Sequence, residues 1–122
     1  MKDLMTKHFA KWAVKHRIPK DELVNVLKEL KCGNFDANLG GHIYKKRIRF
    51  RGKGKSGSGR TIICYQKENI AIFVYGFAKN EKSNLTKKEL VVFKEMSKII
   101  LGFSSEKVEA AIKKGNFIEV KS

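Results

Sequence analysis

From Phe9 to Leu30 apolar residues recur at helical spacing; from Ile43 to Ala78 they alternate with polar ones or run together; from Leu90 onward the helical spacing returns. A period of 3.6 residues buries one stripe of a helix, whereas a period of two buries one face of a strand. The pattern therefore predicts helices, then strands, then helices. Phe9, Trp12, Ala13 and His16 share a face of a first helix over Thr6–Arg17, which Thr6 is placed to cap. Pro19 suits the first turn of a second helix, with Asp21 and Glu22 at its positive end. Leu23, Val26, Leu27 and Leu30 form its buried stripe, and Gly33 stops it. A few residues of edge strand can precede this hairpin.

After a turn at Gly40-Gly41 the period becomes two. Ile43–Arg51 reads as a strand, the glycine- and serine-rich stretch that follows as a loop, and Arg60–Lys67 as a second strand. A turn at Lys67–Asn69 leads into Ile70–Ala78, apolar on both faces as a central strand must be. Three strands joined in this way form an antiparallel meander. Thr86 and Glu89 make a capping box for a helix whose core positions are Leu90, Phe93, Met96, Ile100 and Leu101. Ser104 or Ser105 opens a last helix ending near Gly115, and Phe117–Val120 adds an edge segment. The expected fold class is α+β: a helical hairpin (residues 1–38) on an antiparallel β-sheet (39–79), with C-terminal helices (84–122), in a single domain over 1–122.

Charge sharpens this picture. Lys45, Lys46, Arg47, Arg49, Arg51, Lys53, Lys55 and Arg60 fall between Tyr44 and Thr61, in an acid-free stretch that runs from Asp36 to Glu68. Strand alternation puts Lys45, Arg47, Arg49 and Arg51 on one face and Tyr44, Lys46, Ile48 and Phe50 on the other. Cations repeating every 7 Å or so along a strand repel one another unless a polyanion lies across them. The net charge of +15, from 27 basic and 12 acidic residues, also calls for a polyanionic partner. A membrane surface fits poorly, because the cations lie on strand and loop instead of an amphipathic helix. No apolar run reaches the length of a membrane span, and the N-terminus lacks the apolar core of a signal peptide. Two cysteines, Cys32 and Cys64, suggest no disulfide framework, so a reduced cytoplasmic protein is expected.

Other motifs add little. Gly52–Gly57 matches G-x-G-x-x-G by letter, but a strand follows where dinucleotide binding needs a helix. A P-loop would need glycine where Arg49 stands, and the partner motifs of a kinase glycine loop are missing. His8, His16, His42 and the cysteines show no metal-ligand spacing, so neither metal nor cofactor is expected; only His42, beside the basic strand, is a candidate catalytic histidine. Tyr75 and Phe77 share a face of the third strand with Phe73 and either fill the core or stack a base. Lys79 and Lys82, just beyond that strand, can bring further cations to the surface.

The order of elements, the stretch Tyr44–Arg60 and the stretch Phe77–Leu85 resemble the RelE/ParE superfamily of bacterial toxins. The Gly-Lys-Gly-Lys loop and the Lys79-Asn80-Glu81 motif are most similar to its HigB-like RelE branch. The resemblance implies a toxin that cuts mRNA on the ribosome and is neutralised by a cognate antitoxin. It also implies a metal-free reaction, in which the RNA 2′-OH attacks the adjacent phosphate to leave a 2′,3′-cyclic phosphate and a 5′-OH. Carried over by position, the paired strand cations of RelE toxins fall on Lys45 and Arg47, and the arginine opening the next strand falls on Arg60. Asn80 replaces the family's later arginine, with Lys79 or Lys82 as substitutes, and the C-terminal tyrosine is missing. The expected catalytic residues are Lys45, Arg47, Lys53, Lys55, Arg60 and Lys79, with a lysine of depressed pKa as the proton carrier. Lys46, Arg49, Arg51, Tyr75, Phe77 and Lys82 are expected to bind RNA. A ParE-like gyrase poison and a non-catalytic RNA- or ribosome-binding module are the alternatives.

Overall fold

The computed structural model describes residues 1–50 and 57–121. Elements follow in the order β1 (Lys2–Thr6), α1 (Lys7–Lys15), α2 (Lys20–Lys31), β2 (Ala37–Gly40), β3 (Ile43–Arg49), β4 (Ser58–Gln66), β5 (Ile70–Ala78), α3 (Lys87–Leu101), α4 (Ser105–Lys113) and β6 (Phe117–Glu119). The strands form one sheet in the order β2-β3-β4-β5-β1-β6. This is the expected α+β fold, but the sheet is mixed: β1 runs parallel to β5 and antiparallel to β6. β1 is therefore an interior strand. Its charged start disguised it, for Lys2 reaches out to Glu109 at 2.7 Å and Asp3 to Lys31 at 2.7 Å, while Leu4 between β5 and β6 is fully buried.

Two apolar layers sandwich the sheet. On one side the stripe Leu23, Val26, Leu27 and Leu30 of α2 joins Phe9 and Ala13 of α1 over Ile48, Ile63 and Phe73. On the other, Phe93 and Ile100 of α3 and Val108 of α4 cover Ile43, Ile62, Cys64, Ile72 and Phe77. Local signals set the helix ends. Thr6 Oγ1 accepts from the Phe9 amide, Gly33 adopts a φ of +87°, and Thr86 and Glu89 complete their capping box. Ser97 fastens α3 to the sheet, its hydroxyl donating to the Gly41 carbonyl at 2.7 Å beside Cys64 Sγ at 3.3 Å. Burial raises the pKa of the Cys64 thiol, which both keeps it inert and suits a core position.

One glycine is required by packing. A Cβ on Gly76 would stand 2.4 Å from the Trp12 ring, so the indole lies directly on the β5 backbone. Gly76→Ala is expected to destabilise the fold by about 2 kcal/mol, measured by denaturant unfolding. A shift in the emission of Trp12, the sole tryptophan, would show its displacement. An unchanged midpoint and spectrum would show that the indole gives way without cost.

Candidate functional site

Strand register assembles the site. Arg47 of β3 lies opposite Arg60 of β4, and Arg60 lies opposite Phe77 of β5. One pair further along, Lys45 faces Ile62 and Ile62 faces Tyr75; in the other direction Arg49 faces Ser58. Directly opposed residues share a face, so Lys45, Arg47, Arg49 and Arg60 form a cationic sector on the α3 side, bordered by Tyr75 and Phe77. The sheet departs from strict alternation here. Ile63 pairs with Phe73 but Ile62 pairs with Tyr75, so the extra residue Val74 makes a bulge. Phe73 joins the α1–α2 layer while Tyr75 and Phe77 join the α3 layer. The shared face expected for Phe73, Tyr75 and Phe77 is thus corrected: the bulge divides them.

Beyond β5 the chain turns back on the Ala78 carbonyl, which accepts from the Lys82 amide at 3.2 Å. The turn sets Lys82 Nζ 5.4 Å from the centre of the Tyr75 ring and 5.8 Å from that of Phe77. Lys82 pairs with the Glu89 carboxylate and lies 3.5 Å from Tyr75 Oη. The hydrogen bond to Glu89 raises the Lys82 pKa against the opposing effect of burial. The same contact, helped by the Thr86 amide, lowers that of Glu89. Lys82 is therefore held in its protonated form. Lys45 Nζ makes a long contact with Asn84 Oδ1, 3.4 Å. Tyr75 packs between Phe93 of α3, 5.1 Å away, and the exposed ring of His8, stacked at 6.1 Å.

Arg60 is held as well. Its side chain is only 13% exposed, with Nε 3.5 Å from Asp36 Oδ2 and Nη1 donating to the Gly59 carbonyl at 3.2 Å. Arg47 and Arg49 are exposed and carry no ion pair among the described residues. The resting site thus combines two cations anchored by acids with two that face solvent unpaired. Such an arrangement attracts phosphate and keeps part of the receptor in place before it arrives.

Several expected site residues sit elsewhere. Lys46 is corrected: it is buried on the α2 face, 3.0 Å from Glu29 Oε1, and is not available to RNA. Phe77 is 4% exposed and forms the floor beneath Lys82 instead of a stacking surface. Lys79 is exposed beside Asn80 and Glu81 at the ends of β4 and β5. His42 occupies the turn before β3, with a φ of 65°, at the far end from Arg47 and Arg49. Arg51, Lys53 and Lys55 lie outside the described residues. Sequence reading missed Asp36, Glu89, Asn84 and His8 as members of the site. Glu89 already had a role in the capping box, and Asp36 marked only the border of the acid-free stretch.

Among the described residues no group of three or more His, Cys, Asp or Glu could hold a metal ion. No helix among them is long and apolar enough to cross a membrane. A search of curated proteins found no match to this chain. The family model described as the RelE toxin of the RelE/RelB toxin–antitoxin system matches residues 1–120. With the sheet and helices in the arrangement given above, the chain belongs to the RelE family of toxins.

Proposed function

We propose that this toxin is a ribosome-dependent mRNA endoribonuclease, acting in the cytoplasm and neutralised by the antitoxin that its family membership implies. The observation that carries this reading is the cross-strand set Lys45, Arg47 and Arg60 with Lys82 mounted on Tyr75 and Phe77. Within the family we place it in the HigB-like branch, on the Lys79-Asn80-Glu81 motif after β5.

The chemistry follows from the charges. Arg47 and Arg60 grip the non-bridging oxygens of the scissile phosphate and stabilise the added negative charge as the 2′-oxygen attacks. Lys45 and Arg49 hold the flanking phosphates along the strand. The 2′-OH proton passes to the Glu89 carboxylate, and Lys82 donates a proton to the departing 5′-oxygen. Transfer from Glu89 to Lys82 then restores the pair. Tyr75, with His8 at its side, offers the aromatic edge on which a base rests.

Ribosomes carrying a defined mRNA test the reading directly. The expected products bear a 2′,3′-cyclic phosphate and a 5′-OH, formed undiminished after transition metals are stripped from the toxin while ribosomal magnesium is kept. A 5′-phosphate product, or activity restored only by a stoichiometric metal, would overturn it. Intact mRNA together with arrested gyrase supercoiling would assign the toxin to the gyrase poisons.

A further inference from the structure

At the ends of β3, β4 and β5, on the α1 side, lies a cleft of about 690 Å³, within the range of roughly 300–1,000 Å³ typical of small-ligand sites. Its lining includes His16, Phe50, Ser58, Lys79, Asn80 and Glu81. None of these side chains belongs to the cationic sector described above. We propose that this cleft receives the base of the nucleotide next to the cut phosphate and sets which base the toxin prefers. The inference rests on the RNA-cleavage reading and adds the means of its selectivity.

Three features support a nucleobase. The first is an aromatic wall. His16 and Phe50 stack at 4.7 Å with their planes 13° apart, and Trp12 braces Phe50 from behind with ring centres at 5.7 Å. His16 Nε2 is buried without a hydrogen-bond partner among the described residues, and the ring stacks on Phe50 and packs on Trp12. The second is a set of unused polar side chains on a fixed support. The Lys79 amide donates to the Ser58 carbonyl at 3.0 Å and the Glu81 amide to the Ala78 carbonyl at 3.1 Å, which pins the turn. The side chains of Lys79, Asn80 and Glu81 make no hydrogen bond or ion pair among the described residues. An Asn amide pairs with one edge of adenine, a carboxylate accepts from exocyclic amines, and an ammonium donates to guanine O6 or N7.

The third feature is continuity with the phosphate row. Arg49, on the α3 side, pairs with Ser58, whose carbonyl accepts from the Lys79 amide, so the row stops at the strand ends around which the cleft opens on the α1 side. The step between these residues is about 7 Å, which one extended nucleotide can span. A strand whose phosphates follow the cations to Arg49 and then rounds the end of the sheet brings its next base to the cleft. An acidic peptide would also be drawn to the row, but it has no planar ring for the His16–Phe50 wall and would place a second carboxylate against Glu81.

Trp12 supplies a built-in reporter, being the only tryptophan and in contact with the wall. The first experiment titrates the toxin with four RNA trinucleotides that carry 2′-deoxyribose at the attacking position and differ in the base beyond the blocked phosphate. One base is expected to change Trp12 emission at a concentration about tenfold below the others, the discrimination of one good bidentate contact. The second maps cuts on ribosomes carrying mRNA randomised at the same position. Asn80→Ala is expected to reduce the wild-type bias to less than about threefold, and Glu81→Gln, which turns an acceptor into a mixed donor and acceptor, to change the preferred base. Both positions are exposed, and circular dichroism confirms the fold.

Identical base profiles for wild type and both variants at full cleavage would overturn the inference and leave the nuclease reading standing. So would a Trp12 signal indifferent to the base, or one produced equally by an acidic peptide. Base-dependent Trp12 emission without any mRNA cleavage would overturn the nuclease reading and the cleft's part in choosing a cut, and leave only base binding by the cleft.

Discussion

Arg60→Ala is expected to slow mRNA cleavage about a hundredfold, equivalent to roughly 3 kcal/mol of lost transition-state stabilisation. Arg60 sits at the centre of the sector, with Arg47 on one side and Phe77 on the other. Its side chain is largely shielded, so its charge acts on a bound phosphate with less screening than an exposed cation would. The substitution also leaves Asp36 facing the phosphate without its counter-charge, which adds repulsion to lost attraction. Stability should fall by only about 1–2 kcal/mol, because the lost packing and ion pair of a largely shielded side chain are partly offset by relief from the like charge of Arg47. Thermal melting thus separates a catalytic loss from an unfolded protein. Arg60→Lys keeps the charge but not the planar fork and should recover only part of the rate. Lys113→Ala, exposed on α4, should match wild type. Equal rates for Arg60→Ala and Lys113→Ala would remove Arg60 from the site.

Phe73→Ala is expected to cost about 4 kcal/mol of folding stability, a large part of the roughly 5–15 kcal/mol that holds a domain together. Phe73 is fully buried and stacks on Phe9 with ring centres 4.6 Å apart, which makes it an apolar link between α1 and the sheet. Its loss removes a transfer term and leaves a cavity under a helix whose capping and stacking prevent easy collapse. Denaturant unfolding reads the effect as a lower midpoint. Val14→Ala, at a position 78% exposed on the same helix, provides the contrast and should shift the midpoint very little. Comparable losses at the two positions would mean that α1 does not depend on this stack.

Much of this architecture is visible in the residues themselves. The stripe from Leu23 to Leu30 gave α2, Thr86 and Glu89 gave the start of α3, and Ile70–Ala78 was delimited at both ends. These features are local, or rest on one strong period. β2 was missed because Ala37–Gly40 is short, ends in glycine and shows no apolar alternation. The placement of β1 depends on a parallel pairing with a strand more than sixty residues away, which no local pattern encodes. The cationic row was legible from alternation alone. Its acidic anchors were not, since Asp36 and Glu89 meet Arg60 and Lys82 only when separate segments fold together. His8 reaches Tyr75 for the same reason.

The extra residue in β5 acts on side-chain direction much as a frameshift acts on codons. Upstream of Val74 the strand keeps one parity, downstream the other, so the half that builds the core and the half that builds the site obey separate phases. Loss of Val74 itself would merge the two phases into one regular ladder and turn no aromatic ring across the sheet. Loss of Gly76, only two positions on, would send Phe77 to the side of Trp12 and take the floor from beneath Lys82. A deletion in this strand therefore keeps the direction of the site's rings at Val74, at the cost of a buried core side chain, and reverses it at Gly76.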